Sequence, residues 1–172
     1  NMVIEGVVGE YTINNLPAPV TALISQPLVK LDSTGLPQPK LVKGWQVNNN
    51  ATEYTFTLAD NLYWDDGTKL KSSDISFNIT DGLVSYPDNN TIVFKFTDSY
   101  SPLPTQLSLP IFKYHTGIGI GAYKIKEIDH DRDGIKITKL ILTPKSDNLP
   151  NVTIRFYQDE KTAKIGFWLG EI

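Results

Sequence analysis

The chain has 172 residues, enough for one domain or two small lobes, and its 40% hydrophobic and 20% charged residues are typical of a globular protein. The net charge of −3 leaves no basic excess that would favour nucleic acid or an anionic membrane surface as a partner. The absence of cysteine excludes disulfides, cysteine-ligated metals and thiol nucleophiles.

The first predicted element is a strand, Met2–Val8, which is apolar and β-branched and ends at Gly9. Thr21–Val29 follows a weak helical pattern that Pro27 interrupts. No apolar run is long enough to span a membrane. Because Asn1 leads at once into a strand-like run, we expect that any export signal or lipid anchor has been removed.

The middle of the chain has the clearest strand pattern. Tyr54, Phe56 and Leu58 alternate with polar residues, which predicts a half-buried strand. The elements predicted here are strands at Gly44–Val47 and Glu53–Leu58, a tight turn at Asp65–Thr68 with Gly67 at positive φ, a short helix from Ser72 or Ser73 to Ile79, and a strand at Thr91–Phe96.

The last third predicts a hairpin, a further strand and a closing helix. Their ranges are Ala122–Ile128 and Ile135–Leu142 for the hairpin, Val152–Tyr157 for the strand, and Asp159–Leu169 for the helix, with Asp159 as its N-cap. The chain as a whole is therefore expected to be an α/β protein dominated by mixed sheet.

Asp129, Asp131 and Asp133 form a D-x-D-x-D-G pattern, which is the first half of a calcium loop. A complete loop needs a glutamate at its twelfth position, which here is Leu140, and the flanking segments are predicted strands rather than helices. The pattern therefore favours a hairpin turn, with a calcium site as the weaker alternative.

Catalytic and metal-binding patterns are lacking elsewhere. His115 and His130 are the only histidines, and their separation does not match a two-histidine metal motif or support a catalytic triad. The acidic pairs Asp65-Asp66 and Asp159-Glu160 are adjacent in sequence, which is typical of turns and helix caps. We expect no enzymatic activity, no cofactor and no metal beyond the weak calcium candidate.

Several segments occur in a fixed order that is characteristic of one family. They are Leu41–Val47, Tyr54–Leu58, Tyr63–Thr68, Ser73–Phe77, Thr91–Phe96, Tyr100–Pro102 and Gly119–Ile125, followed by a tail that ends Leu169-Gly170-Glu171-Ile172. In this order they resemble the signature of the family-5 extracellular solute-binding proteins, the peptide, dipeptide and nickel receptors of ABC importers. The resemblance covers almost the whole chain, although the family is usually about three times as long.

The resemblance implies a fold and a division of the chain. The expected fold is a type II periplasmic-binding-protein N-terminal lobe with a mixed sheet and a small β-rich subdomain. Residues 1–36 and 105–172 would form the main lobe and residues 37–104 the subdomain. The C-terminal lobe, which supplies the other half of the ligand cleft in relatives, is expected to lie outside this chain.

The resemblance also implies a function. The ligand would lie near the end of the first strand, which implicates Val8, Gly9, Glu10, Tyr11 and Asn14. Glu10 would meet a ligand amine, and strand backbone would pair with an extended peptide. The expected partners are a peptide or other small solute, the permease of an ABC transporter and the missing lobe. The expected location is extracytoplasmic, with membrane attachment only through a removed anchor.

Some alternatives remain open. The Gly9-Glu10 pair is equally a simple strand-ending turn. Trp45 and Trp64 lie in framework motifs, so core packing is favoured over ligand stacking, and Trp168 is expected in packing or at an interface. A nickel or metal-chelate receptor of the same superfamily, and a structural or interaction module without a cleft, are the alternative functions.

Overall fold

The computed structural model describes residues 2–114 and 116–172. Its elements in chain order are β1 (Met2–Val8), α1 (Ala18–Ile24), β2 (Val29–Leu31), β3 (Pro37–Pro39), β4 (Val42–Val47), β5 (Glu53–Leu58), β6 (Gly82–Asp88), β7 (Thr91–Phe96), α2 (Leu103–Gln106), β8 (Tyr123–His130), β9 (Ile137–Pro144), β10 (Asn151–Tyr157) and α3 (Glu160–Trp168). None of the helices so described has the length and apolar character needed to cross a membrane.

The chain divides into two compact units by its internal contacts. Residues 1–24 and 121–172 form one, here called the split unit, and residues 25–120 form the other, the continuous unit. The lobe and subdomain boundaries expected from the family resemblance, at 36/37 and 104/105, concern the intact protein and stay a prediction.

The split unit is built on a four-stranded mixed sheet with the order β1-β10-β9-β8. β1 lies parallel to β10, with Met2 opposite Asn151 and Val8 opposite Tyr157. The pairs β10–β9 and β9–β8 are antiparallel. Alternate side chains of β10 (Val152, Ile154, Phe156) are buried, as the period-two pattern of its sequence predicts.

Strand β1 is apolar but exposed. Met2, Val3, Ile4 and Val8 all present exposed side chains, and within the described residues β1 pairs only with β10. Helix α3 has the same character, since Ile165, Phe167 and Trp168 are exposed, as is Leu169 at its C-cap. The split unit therefore carries more uncovered apolar surface than scattered single residues would give.

The continuous unit contains a four-stranded antiparallel sheet with the order β4-β5-β7-β6, together with the short β2–β3 hairpin. Its core is aromatic. Phe56 lies 5.6 Å from the ring of Trp45 and 5.7 Å from that of Phe94, and Phe77 packs edge-on against Phe94 at 5.1 Å. Trp64 is 2% exposed and belongs to the same core.

Most of the predicted strands are confirmed, with small shifts at their ends. The strands at Met2–Val8, Glu53–Leu58 and Thr91–Phe96 have the predicted bounds. The hairpin strands begin and end one or two residues later than expected, so the turn between them spans 131–136. The positive φ predicted for Gly67 is confirmed at +83°.

The helix predicted from Ser72 or Ser73 to Ile79 is wrong. Only Ser72–Asp74 turns, as a single 3-10 turn, and the chain then extends. Ile75 bridges to Lys113, and its carbonyl accepts a hydrogen bond from Tyr86 Oη at 2.6 Å. In a continuing helix the Ile75 carbonyl would accept the amide four residues further along the chain. Because it accepts the Tyr86 hydroxyl instead, the helix ends after one turn.

The other two predicted helices had different outcomes. The helical pattern over Thr21–Val29 corresponds to α1 at Ala18–Ile24, which ends before Pro27. The closing helix is confirmed, and the Asp159 carboxylate caps it by accepting the amide of Thr162 at 2.8 Å. Strand β6 was not predicted, because Pro87 and the flanking turn residues concealed its weak alternation.

Candidate functional site

The end of β1 turns through a glycine that no other residue replaces easily. The Gly9 amide donates to the carbonyl of Tyr157 at 2.7 Å, and Gly9 has a φ of +131°. A Cβ at this position would lie 2.7 Å from the ring of Tyr11. The strand end at Val8–Tyr11 is therefore a fixed turn with a close approach between backbone and ring.

Tyr11 holds this turn against the sheet. Its hydroxyl donates to the Val8 carbonyl at 3.2 Å, and its ring lies 5.3 Å from that of Phe156 at an angle of 56°. Its carbonyl accepts the amide of Ile137 at 2.8 Å. The exposed Val8 side chain and the Gly9 backbone are thus presented on a rigid support.

Glu10 forms an ion pair at the same strand end. Its Oε2 lies 2.7 Å from Lys136 Nζ, and the two side chains are 44% and 45% exposed. The hydrogen bond from Lys136 to Glu10 raises the pKa of the lysine ammonium. An ion pair this exposed contributes little to stability, so either charge can exchange its partner for a charged ligand.

Asn14 lies exposed in the turn that follows, three residues beyond Tyr11. Its neighbour Asn15 has the structural role there, since its Oδ1 accepts the amide and hydroxyl of Thr12 at 2.5 and 2.9 Å. The structure therefore brings Val8, Gly9, Glu10 and Tyr11 together in one turn and leaves Asn14 on the surface beside it.

Sequence reasoning missed Lys136 as a member of this group. It lies in the turn before β9, far from Glu10 in sequence, and the bridge between Tyr11 and Ile137 brings the two segments together. A lysine in a hairpin turn carries no signal of its own. Only knowledge that the chain after β1 runs beside the start of β9 would have found it.

Two of the three aspartates of the D-x-D-x-D-G segment, Asp129 and Asp131, stabilise the hairpin. Asp129 pairs with Lys139 at 2.5 Å, which lowers the pKa of its carboxyl. Asp131 Oδ1 accepts the amides of Ile135 and Lys136 at 3.0 and 3.2 Å, while Asp133 is exposed. Among residues 2–114 and 116–172, no three His, Cys, Asp or Glu side chains lie in an arrangement that would hold a metal ion.

The tryptophan motifs have structural roles. Trp64 Nε1 donates to Asp74 Oδ2 at 3.0 Å, and the same oxygen accepts the amide of Lys71 at 2.9 Å. Trp45 stacks on Phe56, and Trp168 is 78% exposed on α3. The core packing predicted for Trp45 and Trp64 is therefore confirmed.

The D-D-G-T turn is joined to the segment before β8. Asp66 Oδ2 accepts from Lys113 Nζ at 2.6 Å, and Thr68 Oγ1 accepts from the same ammonium at 3.0 Å. The Lys113 hydrogen bond holds the pKa of the Asp66 carboxyl well below its usual range. His130 is exposed at the end of β8, and His115 lies outside the described residues.

A mixed sheet that joins the first and last strands in parallel, with a continuous β-rich unit inserted between them, matches solved binding-protein structures. NikA from Brucella suis, determined in complex with Fe(III)-EDTA, superposes with a TM-score of 0.75 at 16% identity over 100% of this chain and 42% of that one. DppA from Helicobacter pylori, in complex with the peptide STSA, gives 0.73 at 17% identity over 100% and 46%. The fold is that of a type II periplasmic-binding-protein lobe.

Sequence comparison gives the family. The profile of the bacterial extracellular solute-binding proteins, family 5 Middle, matches residues 37–172, and the chain belongs to this family. A probable peptide ABC transporter periplasmic-binding protein, y4tO of Sinorhizobium fredii, is 38% identical over 66 residues, which cover 34% of this chain and 12% of that protein.

The chain spans less than half the length of these solved structures, and its match covers an eighth of the curated relative. The expectations of a type II lobe and of family 5 are confirmed. The matched family consists of binding proteins rather than enzymes, as the sequence predicted.

Proposed function

We propose that this chain forms part of an extracytoplasmic receptor that binds a small solute, most specifically a peptide, and presents it to the permease of an ABC transporter. Membership of the family of extracellular solute-binding proteins supports the class of function. In this proposal residues 1–36 and 105–172 belong to the main lobe, residues 37–104 to its subdomain, and a second lobe outside the 172 residues completes the cleft.

The observation that carries the peptide assignment is the exposed pair Glu10–Lys136 beside the strand end Val8–Tyr11. A peptide is a zwitterion, with an ammonium at one end and a carboxylate at the other. An anionic and a cationic side chain that are 2.7 Å apart, and paired only weakly, offer a partner for each type of ligand charge.

The relatives support two ligand classes. The S. fredii relative is described as a peptide-transporter binding protein, and the DppA structure holds a peptide. The NikA structure holds Fe(III)-EDTA, which favours a metal chelate as the second candidate. A carboxylate-rich chelate would use Lys136 but would be repelled by Glu10, so the local charges favour the peptide.

The uncovered apolar side chains support the second lobe as a partner. Phe167 and Trp168 are exposed on α3, Leu169 is exposed directly after it, and Met2 is exposed on β1. Burial of such side chains stabilises a protein by roughly 1.5–3 kcal/mol each. A lobe that packs against them would therefore gain stability as well as complete a binding cleft.

The test is isothermal titration of the full-length protein with a free tripeptide, the same tripeptide acetylated and amidated at its ends, and nickel–histidine and ferric–EDTA complexes. We expect saturable binding of the free tripeptide and loss of binding when its termini are blocked. Glu10→Gln is expected to weaken tripeptide binding about tenfold, since it removes a charged hydrogen-bond acceptor.

Glu53→Gln is the matched control, because Glu53 is as exposed as Glu10 and also pairs with a lysine, Lys95, in the continuous unit. Binding of a metal complex without the tripeptide would replace the peptide assignment with the metal-chelate one. A well-folded full-length protein that binds none of these ligands would favour an interaction module. Equal effects of the two variants would remove Glu10 from the site.

A further inference from the structure

A depression of about 410 Å³ opens on the continuous unit, between the loop before β6 and the loop after β7. This volume lies within the range of small-molecule sites. The residues that line it are Asn78, Ile79, Thr80, Asp81, Phe96, Thr97, Asp98, Ser99, Tyr100 and Gln106. None of them belongs to the β1 strand end, so an inference about this depression does not rest on the proposed function.

One wall of the depression is aromatic and fixed. The rings of Phe96 and Tyr100 lie 4.8 Å apart at an angle of 32°. Gly82 pairs with Phe96 across the hairpin, and a Cβ on Gly82 would lie 2.7 Å from the Phe96 ring, so the ring packs directly over the glycine. The Tyr100 amide donates to Ala51 at 2.9 Å, and its hydroxyl accepts from Gln106.

The charged lining is wholly acidic. Asp81 and Asp98 are its two ionisable carboxylates, and no lysine, arginine or histidine lines the depression. Within residues 2–114 and 116–172 neither carboxylate forms an ion pair. Because Gly82 pairs with Phe96, Asp81 and Asp98 both lie at the same end of the β6–β7 hairpin.

We propose that this depression binds a small organic cation, an ammonium or guanidinium group carried on a short alkyl arm. The cationic head would pair with the carboxylates of Asp81 and Asp98, and the alkyl arm would lie against the aromatic wall of Phe96 and Tyr100. The two carboxylates do not suffice for an inorganic ion, since the described residues contain no three-ligand group. The apolar wall also favours an organic group over a hydrated metal.

The experiment is a titration of the 172-residue chain followed by two-dimensional 1H–15N NMR. The probes are n-butylammonium and n-butylguanidinium, with 1-butanol as the neutral analogue and Mg²⁺ as the inorganic cation. We expect saturable shifts, confined to the amides of 78–82 and 96–100, with the two organic cations. Neither 1-butanol nor Mg²⁺ is expected to produce them.

Variants test the two parts of the site separately. The double variant Asp81→Asn, Asp98→Asn is expected to raise Kd about tenfold or more. Asparagine tolerates the φ of +57° at position 81, so the fold is retained. Tyr100→Leu, which removes one ring, is expected to raise Kd about threefold. Asp147→Asn removes an exposed carboxylate elsewhere and is expected to leave Kd unchanged.

Three outcomes would overturn the proposal. The first is the absence of saturable shifts. The second is equal shifts with 1-butanol, which would mean that the wall binds alkyl groups without regard to charge. The third is a set of shifts spread over exposed acidic residues and reduced as much by Asp147→Asn as by the double variant, which would mean general attraction to an acidic surface.

Discussion

Replacement of Trp64 by phenylalanine should destabilise the continuous unit strongly, although the substitution keeps an aromatic ring. The indole Nε1 donates to Asp74 Oδ2 at 3.0 Å, and loss of a hydrogen bond to a charged acceptor costs about 1.5–3 kcal/mol. The lower end applies, because the amide of Lys71 still donates to the same oxygen. The smaller ring also loses about 40 Å² of buried apolar surface, or about 1 kcal/mol.

The expected decrease in the free energy of unfolding is therefore about 2.5 kcal/mol. With an m-value of roughly 2 kcal/mol per molar urea, the urea midpoint of the unit should fall by about 1.2 M. The assay is equilibrium urea unfolding of the chain, followed by far-UV circular dichroism and by tryptophan fluorescence. The slope of the transition should stay unchanged.

Trp168→Phe is the matched control, because the same change is made on a side chain that is 78% exposed. Its expected effect lies within about 0.5 kcal/mol. If Trp64→Phe has an effect no larger than that of Trp168→Phe, the hydrogen bond from the indole to Asp74 does not stabilise the unit and the structural role given to Trp64 is wrong.

Three further predictions concern pH, backbone conformation and calcium. Hydrogen bonds from the hydroxyl of Thr34 and from two amides lower the pKa of Asp32 to about 2. The ionised carboxylate therefore stabilises the fold at any pH above the pKa of Asp32 in the unfolded chain, and this stabilisation is lost as the pH falls through about 2. The urea midpoint of Asp32→Asn should accordingly decrease less between pH 4 and pH 2 than that of the unmodified chain. Gly9→Ala should destabilise the chain more than Gly134→Ala, as measured by thermal unfolding, because only the first Cβ meets an aromatic ring while both residues have positive φ. Millimolar calcium should leave the thermal midpoint unchanged, because carboxylates of the 129–134 segment already bind a lysine and turn amides. A saturable increase in the thermal midpoint would instead show that the segment binds calcium.

Sequence patterns predicted those helices and strands that are determined by interactions between residues close together in sequence. Alternation identified β5, and Asp159 as an N-cap residue identified the start of α3. The helix predicted after Ser72 failed because the bond from Tyr86 to the Ile75 carbonyl is a tertiary contact that sequence periodicity does not record. Strand β6 was missed for the related reason that its pairing with β7, rather than its own composition, defines it.

Only those residues of the candidate site that are consecutive in sequence could be predicted. The family resemblance indicated Val8, Gly9, Glu10 and Tyr11, which are consecutive and lie in one turn. Lys136 could not be found, because its position beside Glu10 depends on sheet register. The depression lined by Phe96 and Tyr100 could not be predicted either, since it is formed by the loop before β6 and the loop after β7, which only the strand pairing brings together.

The parallel pairing of β1 with β10 has a consequence for synthesis. Met2 can pair with Asn151 only after all the residues between them have been made, whereas every strand of the continuous unit lies within residues 25–120. Pairing between such distant segments carries the full entropy cost of closing the intervening loop, and it is intrinsically slow. We therefore expect the continuous unit to fold first, which shortens the loop that must be closed. Until β10 has been made, the apolar strand β1 is unpaired, so it is the segment that we expect to aggregate or to bind a chaperone.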